Sequence, residues 1–244
     1  NAFREHIIRI TSVDADGVAI ELGAAAPTPA QSSATLPRII FDRLSIRNSS
    51  LTYSDSSTKV RIPSFNIEAS NGRGTLRLAS PISIAPDVQF DIPELALQMS
   101  DGTLDFDAAR WRLAHREIAV TGSSRGRLQW SPLLALNLNY STSPFSYQNW
   151  QDLESSASIV YENGVVKVSD FRARAGSGTA TGSAEMNGGL KSVKMLWSGL
   201  NLAPAGFPAT IGGIIGLQWK AADFSDASGQ GTVEINSRQY GRAE

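Results

Sequence analysis

The chain reads as an all-β protein, an elongated antiparallel repeat sheet with at most one or two short helices. Three observations predict this: apolar and polar residues alternate through most of the chain, Asx-Gly pairs separate the alternating runs, and one pattern returns about fifty residues later. Alternation at period 2 sends every second side chain to one face of a strand. Asx-Gly between two such runs supplies the positive φ angles that a type I′ hairpin turn needs. A fixed period means one supersecondary unit repeated, so that neighbours bury what a single unit leaves open.

Taken in order, Ile8-Arg9-Ile10 opens the alternation, and Asp16-Gly17 reads as the first hairpin turn. The stretch from Gly23 to Thr35 is rich in Ala, Pro and Ser and reads as a loop or linker. It sets a leading segment, residues 1–35, apart from a repeat region at 36–244. Within that region Leu44-Ser45-Ile46-Arg47, Val60-Arg61-Ile62, Thr75-Leu76-Arg77-Leu78, Leu95-Ala96-Leu97 and Leu136-Asn137-Leu138-Asn139-Tyr140 all alternate. Asn71-Gly72, Asp101-Gly102, Asn163-Gly164 and Asn187-Gly188-Gly189 are expected to turn the chain between strands. Ser141 to Leu153, with Phe145, Tyr147 and Trp150, reads as an irregular stretch closing one repeat. Ala203 to Gly216 is the candidate for the only helix, held short by Pro and Gly. A membrane span needs about 20 mainly apolar residues, and Leu200–Trp219 is interrupted by Pro204, Pro208 and glycines. It is therefore expected to be a buried or groove-plugging segment.

The repeat is explicit in two copies. Val60-x-Ile62, Ile67-x-Ala69, Arg73-Gly74-x-Leu76-x-Leu78 and Ser80-Pro81 answer to Trp111-x-Leu113, Ile118-x-Val120, Arg125-Gly126-x-Leu128-x-Trp130 and Ser131-Pro132, at offsets of 51 or 52. The lead-ins Phe41-Asp42 and Leu44-x-Ile46 have counterparts in Phe90-Asp91 and Leu95-x-Leu97. A weaker third copy, Val166-x-Val168-x-x-Phe171, matches Val60-x-Ile62-x-x-Phe65 at an offset of 106.

Composition narrows the function classes. Of 244 residues, 41% are hydrophobic and 18% charged, enough apolar content to bury a core. The net charge of −1 lacks the basic excess of a nucleic-acid binder. With no cysteine there is no disulfide, thiolate zinc site or cysteine nucleophile. The chain opens at Asn1 inside a strand-like pattern, as a portion of a longer protein would.

Catalytic and metal constellations are poor, and no enzyme or cofactor is expected. The two histidines, His6 and His115, have no metal spacing, and no G-x-S-x-G elbow is present. Asp14-x-Asp16-Gly17 begins like a calcium loop but carries Ala25 at its twelfth position. Asp101, Asp105 and Asp107 read as charge guarding a strand edge. Gly176-x-Gly178-x-x-x-Gly182 misses the dinucleotide spacing and reads as a tight, twisted strand. Arg110, Arg112, Arg116, Arg125 and Arg127 read first as polar strand faces and second as contacts to lipid phosphates.

Leu44-x-Ile46-x-Asn48-x-x-Leu51-x-Tyr53-x-Asp55, Val166-x-Val168-Ser-Asp-Phe171-Arg-Ala-Arg-Ala-Gly176-x-Gly178-x-Ala-Thr-Gly182, and Trp197-Ser-Gly-Leu200-Asn-Leu202-Ala-Pro204 leading into Gly213-Ile-Ile-Gly216-Leu resemble the repeating strands of the AsmA-like superfamily, which includes the TamB proteins. The resemblance covers about residues 40 to 240. It implies a U-shaped sheet, or β-taco, with an apolar groove, in a periplasmic part of a cell-envelope protein anchored in the inner membrane by a segment outside this chain. It also implies phospholipid as the cargo moved between inner and outer membrane, with an outer-membrane assembly protein as a further partner. No nucleic-acid partner is expected.

On that resemblance the groove lining would be Leu44, Ile46, Leu51, Tyr53, Val60, Ile62, Leu76 and Leu78 of the first copy, sharing a face with Leu95, Leu97, Leu104, Phe106, Trp111, Leu113, Leu128 and Trp130 of the second. The alternating runs alone leave another reading open, two sheets closed into a dry core by the same residues. That reading suits a structural or interaction module of an envelope assembly or secretion system. A carbohydrate-binding module using Trp111, Trp130, Trp150, Trp197 or Trp219 as stacking platforms is a third.

Overall fold

A computed structural model describes residues 7–23, 38–54, 59–85, 87–100, 102–129, 133–221 and 224–237. Apart from one 3₁₀ turn at Ala203–Ala205, the regular structure of these residues is β-strand, mostly antiparallel. The chain divides into two units, Asn1–Glu117 and Ile118–Glu244.

The first unit contains β1 (Ile7–Asp16), β2 (Ala19–Gly23), β3 (Arg38–Ser54), β4 (Lys59–Ser70), β5 (Arg73–Leu78), β6 (Ile82–Ala85), β7 (Val88–Asp91), β8 (Leu95–Ser100) and β9 (Thr103–His115). Three of its rungs are strands broken in the middle. Strands β1 and β2 both run parallel to β3, β1 along Arg38–Arg47 and β2 along Ser50–Ser54. Asp16-Gly17 therefore makes no hairpin, as alternation had suggested, but a jog between two collinear strands. There Gly17 N donates to Arg47 O and Ser50 N to Val18 O, so the ladder runs on through the jog. Parallel pairing is the departure from an all-antiparallel sheet. It requires a crossover of a dozen or more residues, and fourteen separate Gly23 from Arg38. Of the expected linker, only Gly23 falls among the described residues.

Strand β4 pairs antiparallel with β3, and on its other edge with β5 and then β6. Strands β5 and β6 are separated at Ala79–Pro81, where Ala79 N still reaches Ser64 O. Strand β7 pairs with β6, β8 with β5, and both pair with the single long strand β9. Pro93 sits in the gap between β7 and β8, where a residue without an amide hydrogen interrupts the ladder.

The second unit is an antiparallel meander of β10 (Ile118–Gln129), β11 (Ala135–Thr142), β12 (Phe145–Tyr147), β13 (Trp150–Glu162), β14 (Val165–Ala175), β15 (Gly178–Asn187), β16 (Leu190–Asn201), β17 (Ala209–Trp219) and β18 (Ser228–Ser237). Strand β13 spans both β11 and β12. The stretch Ser141–Leu153 is thus ordered into strand ends, interrupted at Ser143-Pro144. The segment read as a helix holds only the 3₁₀ turn before β17, because Ile211, Ile215 and Leu217 are period-2 residues with glycines between them. It plugs nothing: Phe207 is 63% and Ile214 52% exposed.

Turn chemistry follows the sequence elsewhere. Asn71-Gly72, Asn163-Gly164 and Gly188-Gly189 have positive φ at both central residues, the type I′ requirement. Thr103 pairs with Ser100 across the Asp101-Gly102 turn.

The two sequence copies do not map onto matching hairpins. Val60–Ile62 and Ile67–Ala69 lie together on β4, whereas the turn at Arg116-Glu117 divides Trp111–Leu113 on β9 from Ile118–Val120 on β10. What recurs is a strand pattern, carried once by one strand and once by two.

Bulges make that pattern work. Ile62 and Phe65 stand three apart on β4 but face Leu51 and Ser49, two apart on β3. Val168 and Phe171 stand three apart on β14 but face Ala184 and Gly182 on β15, with Asp170 at φ 52° between them. Trp197 and Leu200 on β16 face Gly213 and Ile211 across Gly199 at φ 64°. An extra residue in one strand keeps both flanking apolar side chains on one face and bends the strand. The spacing Val-x-Ile/Val-x-x-Phe shared by the first and third copies is the sequence signature of this bulge.

Candidate functional site

The register places the predicted residues face by face. Ile46, Ile67, Leu76 and Leu95 are successive partners across β3, β4, β5 and β8. Leu44, Ala69, Gly74, Leu97 and Phe106 form the adjacent row, ending on β9. Leu78 pairs with Phe65, and Leu51 with Ile62. Leu104 lies two residues from Phe106 and joins the same face.

Trp111 and Leu113 break the alternation of β9, since they differ in parity from Phe106. The ladder with β7 and β8 is interrupted there, with no pairing between Asp91–Arg112 and Ala96–Asp107. The other route around the sheet settles their side. Arg61 pairs with Ser83, which sets Ile82 beside Ile62; Ile82 pairs with Phe90, and Phe90 with Leu113. Phe90 and Trp111 pack ring against ring at 6.3 Å. Leu44, Ile46, Leu51, Ile62, Leu76, Leu78, Leu95, Leu97, Leu104, Phe106, Trp111 and Leu113 therefore share one face of the first unit. Tyr53 and Val60 are register partners on that ladder. Trp130 lies outside the described residues.

Leu128 belongs to the corresponding face of the second unit. One row there crosses eight strands, Gly126–Leu138–Ile159–Val168–Ala184–Val193–Leu217–Gly229. A parallel row carries Phe171, Gly182, Met195, Ile215 and Gly231. Between them β15 presents only Gly178, Ala180, Gly182 and Ala184 before Met186, a low strip flanked by larger side chains.

Each unit is thus one sheet with an apolar face, and its strands pack against their ladder neighbours. Only Phe65, Ala108, Trp111 and Ala157 are buried apolar residues among those described; the rest of the face is mainly half-exposed. A filled sandwich would bury most of such a face, and among the described residues only those four apolar side chains are buried.

No family model, curated protein or solved structure matches this chain.

The opposite faces are mainly polar, with the register partners Leu196 and Ile214 exposed on that of the second unit. Arg174 pairs with Glu154 at 2.8 Å and Lys167 with Glu185 at 4.0 Å, all on exposed ladder positions. Arg110 and Arg112 lie opposite the apolar side of β9, and Arg125 and Arg127 opposite that of β10. Arg116 occupies the turn after β9, 3.5 Å from Asp87. Arg110, Arg112, Arg125 and Arg127 lie on polar strand faces as expected, whereas Arg116 lies in a turn.

Two polar devices pin strand β1 and the turn before β18. Arg9 holds Asp42 through both carboxylate oxygens at 2.9–3.1 Å, and that carboxylate raises the Arg9 pKa above its ordinary value. Asp226 accepts the amides of Lys220 and Ala221 at 3.0–3.1 Å, and the backbone donors hold its carboxyl below the ordinary 3.8. On the polar side of the first unit, Arg47, Asn48, Asn66, Glu68, Thr75 and Arg77 line a shallow recess of about 210 Å³. Its floor is shaped by Asn48, at φ 49°, whose amide donates to Asn66 Oδ1 at 2.7 Å. Among the described residues no group of three or more His, Cys, Asp or Glu could hold a metal, and no helix is long and apolar enough to cross a membrane.

Sequence reasoning named the face of the first unit and missed most of the second. Phe171, Val193, Met195, Trp197, Ile215 and Leu217 were within reach of the same alternation, once a spacing of three is read as a bulge. Phe65, among the most buried apolar residues at 5% exposure, sits directly after such a spacing.

Proposed function

We propose that this chain is a periplasmic segment of an envelope protein that shields phospholipid acyl chains on the apolar faces of its sheets as lipid moves between the inner and outer membranes. The observation that supports it is the apolar side of each unit, continuous from strand to strand and only partly buried. Each CH₂ kept from water on such a face is worth about 0.8 kcal/mol. The rows offer many equivalent contacts and no single tight pocket, a surface along which a chain slides. The polar opposite face keeps the sheet solvated. Leu97 and Leu113 contribute apolar contact in the first unit, and in the second Gly182 and Ala184 leave room beside Met195 and Val193. No catalytic role is assigned.

Native mass spectrometry of the protein purified gently from bacterial membranes tests this. Co-purifying phospholipid is expected, and it should vanish in a Leu97→Asp/Leu113→Asp double variant that retains its β circular dichroism. A lipid-free protein, or lipid retained by the double variant, would sink the proposal and leave the structural or interaction module as the better account.

A further inference from the structure

One lysine stands on the apolar face of the second unit. The outermost row of that face, at the strand ends, crosses from Leu128 on β10 to Trp219 on β17 through Tyr161, Val166, Met186 and Lys191. Lys191 therefore shares a side with Val193 and Met195, two and four residues on along β16. The other described cations of these strands, Arg125, Arg127, Lys167, Arg172, Arg174 and Lys194, all alternate to the opposite side. Glu154, Glu162, Glu185 and Glu234 lie there as well.

The charge is held at the border of the face. Lys191 Nζ donates to the Ala221 carbonyl at 2.7 Å, just past the end of β17, while its alkyl stem lies in the row between Met186 and Trp219. That bond uses one N–H of the ammonium and leaves the others for a ligand. No described carboxylate forms an ion pair with Lys191, whereas Lys167 and Arg174 on the polar side are each matched to a glutamate. Asp226, in the same turn, spends its oxygens on the Lys220 and Ala221 amides. Beside the ammonium Trp219 packs on Phe224 at 4.8 Å, and Phe224 is 65% exposed. An indole and a lysine at an apolar border are what proteins set at the headgroup level of a membrane.

We infer that Lys191 receives the phosphate of a lipid whose acyl chain lies on the apolar face of the second unit. This rests on the acyl-chain shielding already proposed, and gives the headgroup a place and a sign. A lipid lying on this face would have to cross the sheet to bring its phosphate to the cations of the opposite side. At Lys191 no crossing is needed: the phosphate accepts charge-assisted hydrogen bonds at the water's edge, and the chain runs inward along β16 past Val193 and Met195. A single cation at an open border makes a weak site, which suits a lipid that moves on.

Isothermal titration calorimetry of the full chain tests this with dodecyl phosphate and dodecyl maltoside, each below its micelle-forming concentration. The wild type should bind both and prefer the phosphate, and inorganic phosphate should not bind at the same concentrations. Lys191→Met keeps an apolar stem and removes the charge. It should weaken dodecyl phosphate about tenfold and leave dodecyl maltoside unchanged, with β circular dichroism retained, while Lys191→Arg should keep the preference. Loss of the tether to Ala221 by itself would weaken both probes alike, so the ratio of the two separates charge from structure. Four results would each overturn the inference and leave the acyl-chain shielding standing: no preference in the wild type, an unchanged preference in Lys191→Met, an equal loss of both probes, or inorganic phosphate bound as tightly as dodecyl phosphate. A wild type that binds neither alkyl probe would overturn the shielding itself, and the inference with it.

Discussion

The hydroxyl of Ser49 accepts the amide of Val18 at 3.1 Å and donates to Arg47 O at 2.9 Å. One fully buried side chain thus joins β3 to the jog where β1 gives way to β2. Removing it takes the acceptor from the part-buried Val18 amide, while Arg47 O keeps the amide of Gly17. Ser49→Ala should therefore lower stability by about 1–3 kcal/mol in urea unfolding.

Ser45 makes the opposite case four residues earlier. It is 4% exposed and its Oγ has no hydrogen-bond partner. Ser45→Ala removes an unsatisfied hydroxyl and should be neutral or stabilising, by up to about 1 kcal/mol. A loss comparable with that of Ser49→Ala would mean that the Ser45 hydroxyl has a partner after all.

Asp170 sets the phase of β14. At φ 52° it is the inserted residue that returns Phe171 to the apolar side. Asp170→Gly should be tolerated, and Asp170→Val should cost about 1–2 kcal/mol through its Cβ in a left-handed conformation. Deleting the residue is more severe, since a one-residue slip sends Phe171, Ala173 and Ala175 to the polar side. The deletion should abolish cooperative melting where Asp170→Gly retains it.

Trp197 and Gly213 are register partners, and a Cβ on that glycine would stand 2.9 Å from the indole Cζ2 and against the backbone oxygen of Thr232. Backbone cannot yield as a flexible side chain can. Gly213→Val should destabilise by about 1–3 kcal/mol, and a shift in Trp fluorescence should report the displaced indole.

The Asp226 turn carries a pH signature. Its carboxyl titrates below the ordinary value because it accepts two backbone amides. A lowered folded-state pKa stabilises the turn above the unfolded pKa, and that contribution fades as pH falls through the folded value. Amide exchange at Lys220 and Ala221 should accelerate relative to that of β17 as pH drops below 3.8, after correction for intrinsic rates. Asp226→Asn should remove that pH dependence.

Strands and turns were legible wherever local chemistry decides them. Asn163-Gly164 demands a turn whatever surrounds it, and Leu136 to Tyr140 can bury only one side. The parallel edge was not legible, because Asp16-Gly17 carries the same dipeptide signal as a true hairpin and only its distant partner, β3, tells the two apart. Residues 203–216 misled for a related reason. Their glycines read as breaks in a helix, but Gly213 is the small partner that Trp197 needs across the ladder. The apolar face of the first unit was recoverable because Leu44, Leu76 and Leu97 alternate cleanly. That of the second was hidden by the three-residue spacings at Phe171 and Leu200, which look like lost periodicity until the bulge restores it.

The order of the strands also bears on how the two units form in time. From β13 onward each strand of the second unit pairs with the one made just before it, mostly across turns of two residues. Closing so short a loop loses little chain entropy, so each rung can be completed while the next is still on the ribosome. The first unit has no such sequence of events at its start. The ladder between β1 and β3 must wait until residues 17–37 and β3 itself have been made. Until it closes, the side of β1 that β3 will cover stays open, an interval in which a chaperone has something to shield.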